Sequence, residues 1–352
     1  MSTSQPKPLV ARRPYQTVGV LVALLLLAYL ATRFIEVLFT VFAGILLAVF
    51  LAGVSQELTE DVHLPRPLAL LLTLGGLLGF FVGLWALAGP DISAQVNALA
   101  ALLPDATERL AQRARTSAQQ YEWVRQFVDP SQFLPPVSSV IGRVTNVFRG
   151  TLNVLVNAFI IVFIGIYGAA APGPYIDGVV RLVPPSHRPR AREILHAIGR
   201  ALRWWLTGRF IMMMIVGLLT IIGLQWAGIP SPVALGLVAA LSSFVPYLGP
   251  IISVLPALLV ASVLGMTKVL YVLIVYGTVQ LLESYLITPL VQQQAVHIPP
   301  AAVITAQFIG GIGGGAVGVL LATPLTVVLI VLVQTLYVED VLGDEVPLLG
   351  EH

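Results

Sequence analysis

Two stretches, LALLLTLGGLLGFFVGLWALAG (68–89) and GTLNVLVNAFIIVFIGIYGAAA (150–171), run their whole length without a charged residue. A helix needs about 20 apolar residues to cross roughly 30 Å of hydrocarbon, so each reads as a transmembrane helix. The rest of the chain agrees. Of its 352 residues 57% are hydrophobic and 10% charged, where a soluble domain carries about 25% charged residues. The fold class is therefore an all-α polytopic integral membrane protein.

Working outward, the run 17–32 follows Lys7, Arg12 and Arg13 and is short enough to resemble a secretory signal. No small-x-small cleavage site with polar sequence follows it, and a second run, 34–54, begins almost at once, so it reads as a retained helix. The chain has no cysteine, which excludes disulfides and thiolate metal or iron-sulfur sites.

The formal charge of +2 says little, but the distribution of arginine says more. Arg181, Arg188, Arg190, Arg192, Arg200, Arg203 and Arg209 face only Asp177 and Glu193 between residues 172 and 209. Cationic loops stay on the cytoplasmic side, so this segment and the N-terminus read as cytoplasmic. Trp204 and Trp205 at its end suit the headgroup layer.

The organisation expected is N-terminal transmembrane helices over 1–89, an extramembrane segment over 90–149, a transmembrane helix over 150–171 and a cytoplasmic arginine-rich segment over 172–208. A C-terminal core over 209–338 and an acidic cytoplasmic tail over 339–352 complete it. Within 90–149, Ile92, Val96, Leu99, Leu103, Leu110, Ala114, Tyr121, Val124 and Val128 recur at helical spacing. That stripe fits long amphipathic helices packed on this protein, on a neighbouring subunit or on lipid headgroups.

From residue 210 the apolar runs become irregular, interrupted at Pro246, Gly249, Pro250 and Pro256. Broken helices are tolerated in lipid only where the freed backbone groups are buried or line a cavity, so a pathway is expected here. The last 37 or so apolar residues fit a re-entrant half-helix over about 301–313 followed by a full helix.

Glu283, in VYGTVQLLESYLITP, lies far from any other acid, and an ionisable group inside a membrane is a functional candidate by default. Gln280 and Ser284 share its region of the helix surface. The reading that Glu283 binds substrate or ion stands beside a structural one, in which it satisfies backbone groups freed at nearby breaks. Glu36 and Arg33 lie near a helix end where snorkelling solvates them. The five histidines form no metal pairing, and Gly-x-Ser-x-Gly is missing, which leaves no metal site and no nucleophile for an enzyme.

Gly311, Gly313 and Ala316 satisfy G-x-G-x-x-A, the letters of a dinucleotide site. That signature needs a preceding strand in a soluble unit, and here it sits in uncharged apolar sequence with no basic residue nearby. No nucleotide, nucleic acid or other cofactor is expected. Two readings remain for the glycines: Gly311-x-x-x-Gly315 and Gly314-x-x-x-Gly318 as helix-packing faces, or the crowded Gly310, Gly311, Gly313, Gly314 and Gly315 as a re-entrant tip.

GIPSPVALGLVAALSSFVPYLGPIIS (228–253), QLLESYLITP (280–289), and the stretch from IPP (298–300) to FIGGIGGGAVGVLLATPL (308–325) resemble the autoinducer-2 exporter (AI-2E) family. The resemblance covers about 110 residues in order and spacing. It implies a prokaryotic inner-membrane transporter with about eight membrane helices and re-entrant elements, assembled as a homo-oligomer, a pentamer. The cargo it implies is a small polar molecule such as the quorum-sensing signal autoinducer-2, or a sodium or lithium ion exchanged for protons. Carried onto this chain, binding falls to Glu283, Gln280, Ser284, Tyr247, Gly311 and Gly313. Breaks and hinges fall to Pro246, Gly249, Pro250, Pro289, Gly310, Gly314, Gly315 and Pro324. Ser243, Tyr285 and Gln293-Gln294 depart from the family pattern. A third reading, from another class, is a membrane scaffold acting through 90–149.

Overall fold

The computed structural model describes residues 34–80, 82, 83, 86, 151–288 and 299–344. The helix expected near 17–32, the segment 90–149 and Pro289 lie outside the described residues. Among those described there is helix and no strand. Four helices are long and apolar enough to cross a membrane, or five if a bent pair counts as one span, against the eight expected for the whole chain.

α1 (Ile35–Asp61) packs along α3 (Thr151–Ala170), with α2 (Arg66–Phe80) between them in sequence. Small residues set the approach. A Cβ added to Gly44 would stand 2.6 Å from Ile164, one on Gly165 2.7 Å from Leu47, and one on Gly168 2.8 Å from Ala48. Lipid tails are as apolar as leucine, so such contacts hold membrane helices together by close packing rather than by water exclusion.

α3 stops at Ala170, and α4 (Pro172–Arg181) leaves at 91°. Pro172 pushes the residue before it away from the helical region, and Ala171 sits at φ −140°, ψ 73°. A short 3₁₀ turn, Pro185–His187, then starts α5 (Arg188–Trp226), a single unbroken helix of 39 residues. At 1.5 Å per residue it is about 58 Å long, roughly twice the hydrocarbon thickness, so it continues from the arginine-rich region straight into the apolar core.

Its buried stripe runs Ile194, Ala197, Ala201, Leu202, Trp205, Leu206, Arg209, Met212, Val216 and Thr220. Two sequence expectations change here. Trp205 is not a headgroup residue: it is buried, and its ring meets Phe244 edge-on at 5.7 Å, while Trp204 stays exposed. Arg209 is not a solvated loop cation, because it faces inward from the middle of the apolar stripe and is 5% exposed.

α6 (Pro232–Ser242) and α7 (Leu248–Leu264) form a first helical hairpin. Leu235 of α6 shares a core cluster with Ala257 and Ala261 of α7. At the other end, a side chain on Gly249 would strike the backbone of Ser242, so the limbs run antiparallel and meet at 243–247. With 11 residues, α6 is about 16 Å long, half a membrane. α8 (Met266–Leu282) follows across Gly265 (φ 115°) and winds into a π-helical turn, Glu283–Ile287.

α9 (Pro300–Val333) breaks at Gly315, whose φ 57°, ψ −138° belongs to a region that side chains disfavour. Residues eight apart in a straight helix are about 12 Å apart, yet a Cβ on Gly310 would lie 2.5 Å from the carbonyl oxygen of Gly318 and 3.3 Å from Ala322. The chain therefore folds back on itself as a second hairpin, turning at Gly315, two residues beyond the end expected for the half-helix. Phe308, Ile309 and Ile312 of the first limb point outward and are exposed. Leu321, Val327 and Val331 of the second limb join Leu46 of α1 and Leu202, Trp205 and Leu206 of α5 in the largest core cluster.

The second limb ends in a further π-helical stretch, Gln334–Leu342. There Arg190 of α5 meets Glu339 at 2.6 Å, Asp340 at 2.9 Å and its own helix neighbour Glu193 at 3.2 Å, and also donates to the Thr335 carbonyl. The cluster fixes the start of the acidic tail on the arginine-rich end of α5. It is partly solvated, so Arg190→Gln is expected to lower stability by only about 1 kcal/mol or less. Faster proteolytic trimming of residues beyond 339, with the melting temperature nearly unchanged, is the result to look for.

Candidate functional site

The tip of the first hairpin leaves the helical ladder, and its carbonyls need donors that lipid does not offer. Backbone groups close part of the gap: Val245 N–H donates to Ser242, and Gly249 N–H to Val245. Side chains close the rest. Arg209 donates from Nε to the Phe244 carbonyl at 3.0 Å and from Nη2 to the Ser243 carbonyl. Gln307, from the first limb of the second hairpin, donates from Nε2 to the Pro246 carbonyl at 2.9 Å. Both side chains are buried. The first hairpin tip is thus joined by a hydrogen bond to the first limb of the second hairpin, two helical turns before its own turn at Gly315.

Tyr247 follows with φ 64°, a left-handed conformation rare for a residue with a side chain. Such strain costs of order 1–3 kcal/mol and survives only where the surroundings impose it. It turns the chain sharply into α7 and leaves the tyrosine ring half-exposed.

Beside the tip lies a small polar pocket of about 10 Å³, lined by Thr220, Ser243, Ser253, Tyr276, Gln280 and Glu283 among others. Space of that size is about one water-sized sphere. Tyr276 donates to the Ser253 carbonyl at 3.0 Å, which fixes one wall. Glu283 is 9% exposed and opens the π-helical turn, a local widening frequent at functional sites. Among the described residues its carboxylate makes no hydrogen bond and no ion pair, and Arg209 is its electrostatic neighbour.

The other sequence candidates divide. Gln280 lines the pocket, and its Nε2 lies 3.3 Å from Ser284 Oγ, although Ser284 itself is exposed. Pro246, Gly249 and Pro250 all sit at the first hairpin's turn, with Pro250 on the pocket wall. Gly311 and Gly313 are brought to apolar neighbours, Val319 and Ile35, rather than to Glu283. Gly314 packs against Phe39 of α1, Gly310 against Gly318, and Gly315 makes the turn itself. Pro324 is buried inside the second limb.

Two residues at the centre of the site, Arg209 and Gln307, are absent from the sequence-based candidates. Each carried a signal: Arg209 falls in register between Leu206 and Met212 on the buried stripe, and Gln307 is the lone amide in AAVITAQFIGG.

Comparison with known proteins agrees with this architecture. The sequence profile of the AI-2E family transporter matches residues 18–337. Among curated relatives, "Putative transport protein YueF" of Bacillus subtilis is 27% identical over 329 residues, covering 86% of this chain and 87% of its own length. "Putative transport protein YrrI" of the same organism is 27% identical over 308 residues, covering 82% and 85%. A "Putative transport protein" of Thermotoga maritima is 26% identical over 194 residues, covering 55% and 57%. With membrane-length helices, two hairpins joined at a buried polar site and a family match over nearly its whole length, the chain belongs to the AI-2E transporter family of membrane proteins.

Proposed function

We propose that the chain exports a small polar molecule, such as autoinducer-2, along a path that passes the first hairpin tip at Glu283. The observation that carries this reading is the unpaired buried carboxylate of Glu283 in one pocket with Ser243 of the first hairpin tip, whose carbonyls are held by Arg209 and Gln307. Transporters bind cargo near mid-membrane where discontinuous helices expose backbone dipoles, and both hairpins are discontinuous helices. Glu283 and Gln280 orient the cargo by hydrogen bonds, and the hairpins open and close around it.

The assembly in this reading is a homo-oligomer, a pentamer, in the inner membrane of a prokaryotic cell. Both termini lie in the cytoplasm. The ion-paired cluster at Arg190 supports that orientation, since it holds the acidic tail against the cationic segment.

The size of the pocket favours a second reading, exchange of sodium or lithium for protons at Glu283. About 10 Å³ holds a monovalent ion and not a furanone unless the tips separate. Flux in proteoliposomes decides between them. Glu283→Gln, shown to be folded by its elution profile, is expected to reduce transport at least tenfold, and unimpaired transport would remove Glu283 from the path. A dye-reported pH gradient that collapses on adding sodium or lithium selects the antiport reading; a gradient indifferent to both cations, with furanone flux intact, selects export.

A further inference from the structure

Arg209 and Glu283 are the two buried charged residues among those described. They are electrostatic neighbours without a direct ion pair, and Ser243 lies between their roles. Its carbonyl accepts from Arg209, and the same residue lines the pocket at Glu283. The guanidinium uses Nε and Nη2 on the tip, while Nη1 makes no hydrogen bond among the described residues. A planar fork of five donors serves two acceptor groups at once or exchanges one for another.

We propose that Arg209 is a positioning residue with two partners: it pins the first hairpin tip while Glu283 is neutral, and moves to the Glu283 carboxylate when that group is charged, freeing the Ser243 and Phe244 carbonyls. A carboxylate is the stronger acceptor for a guanidinium, since charge-assisted bonds are roughly twice as strong as neutral ones. In the arrangement seen, Arg209 stands on carbonyls that a cation or polar cargo would need, so its departure exposes them. Neutralisation of Glu283, by a proton or a bound cation, returns Arg209 to the tip and closes it. The titratable and charged groups around this exchange are Arg209 from α5, Tyr247 from the tip, and Tyr276 and Glu283 from α8 and its π turn. The inference deepens the transport reading above and rests on it for its purpose, but not for its test.

Because the chain has no cysteine, Val245→Cys gives a single thiol on the tip. Its modification rate by a water-soluble maleimide, in reconstituted full-length protein, reports how often the tip is released. In this background Arg209→Gln is expected to speed labelling at least fivefold, and Glu283→Gln to slow it at least twofold, since Arg209 then has no second partner. Glu283→Asp, which keeps the charge, should remain near the parent rate. The opposite directions are the signature. A purely structural Arg209 predicts faster labelling in Arg209→Gln but no change in Glu283→Gln, and that outcome overturns the proposal, as does absence of labelling in every variant. If Arg209→Gln does not fold, the Glu283→Gln and Glu283→Asp pair decides alone. Failure of transport with the labelling antagonism intact would sink the transport reading and leave the exchange standing; intact transport with no antagonism would do the reverse.

Discussion

Gly318→Ala is expected to lose about 3 kcal/mol or more of stability, enough to leave much of the protein misassembled, because the added methyl has no direction in which to yield. It would fall on the carbonyl group of Gly310, within 2.7 Å of its carbon. That neighbour is backbone in the opposite limb of one hairpin, so relief requires the limbs to part. Parting them pulls the first limb off Ala322 or drags the second limb, with Leu321, away from the cluster that anchors it against α1 and α5. The tip at Gly315 cannot absorb the shift, since its conformation is already one that glycine alone holds without strain. Gly277→Ala is the control. It lies in α8 with nothing within 4 Å of a new Cβ, so alanine's higher helix propensity should stabilise it by up to about 1 kcal/mol. Melting of both variants in detergent, followed by tryptophan fluorescence, tests the pair. Equal melting temperatures would mean that the two limbs do not touch.

That contact also shows where sequence reasoning reached and where it stopped. The apolar run at 150–171 foretold α3 to within a residue at each end, and the run at 34–54 foretold the start of α1, because span length is set by bilayer thickness and needs no tertiary information; α1 continues seven residues further, through the polar SQELTED that composition alone does not count as span. Prolines and glycines at 246–250 marked the first hairpin tip for the same local reason. The glycine cluster was ambiguous: read as i, i+4 pairs it offers a packing face to another helix, whereas the pair that matters, Gly310 and Gly318, is spaced eight apart about the turn. Only folding back makes that spacing a contact. Arg209 was hidden by its company. Counted with six other arginines it marks the cytoplasmic side, and only its register on a helix whose length is not evident from composition turns it inward. The buried stripe belongs to tertiary packing, which a charge count cannot see.

Arg209→Leu should be the most damaging single substitution at the site, costing about 3–5 kcal/mol in all, in part because a Glu283 carboxylate that ionises then has no cation to turn to. The Ser243 and Phe244 carbonyls also lose the Arg209 donor, and orphaned acceptors in an apolar setting add about 1–3 kcal/mol each to the strain on the tip. Glu283→Leu alone should cost less, since Arg209 keeps its two carbonyls and the fold loses one partially compensated charge. The double variant separates these contributions. Removing Glu283 from the Arg209→Leu background eliminates the uncompensated carboxylate but not the orphaned carbonyls, so the double variant should be more stable than Arg209→Leu by about 1–3 kcal/mol, a non-additivity expected of groups that share partners. A double-mutant cycle on thermal midpoints, with transport measured in parallel, reads both effects. Simple additivity would show that the two charges do not sense each other across the Ser243 pocket. A double variant as stable as the parent would show that the Arg209 bonds to the tip contribute nothing to the fold. Transport should return in none of the three variants, because each lacks the carboxylate that orients cargo, the cation that holds the tip closed, or both, however well the helices pack.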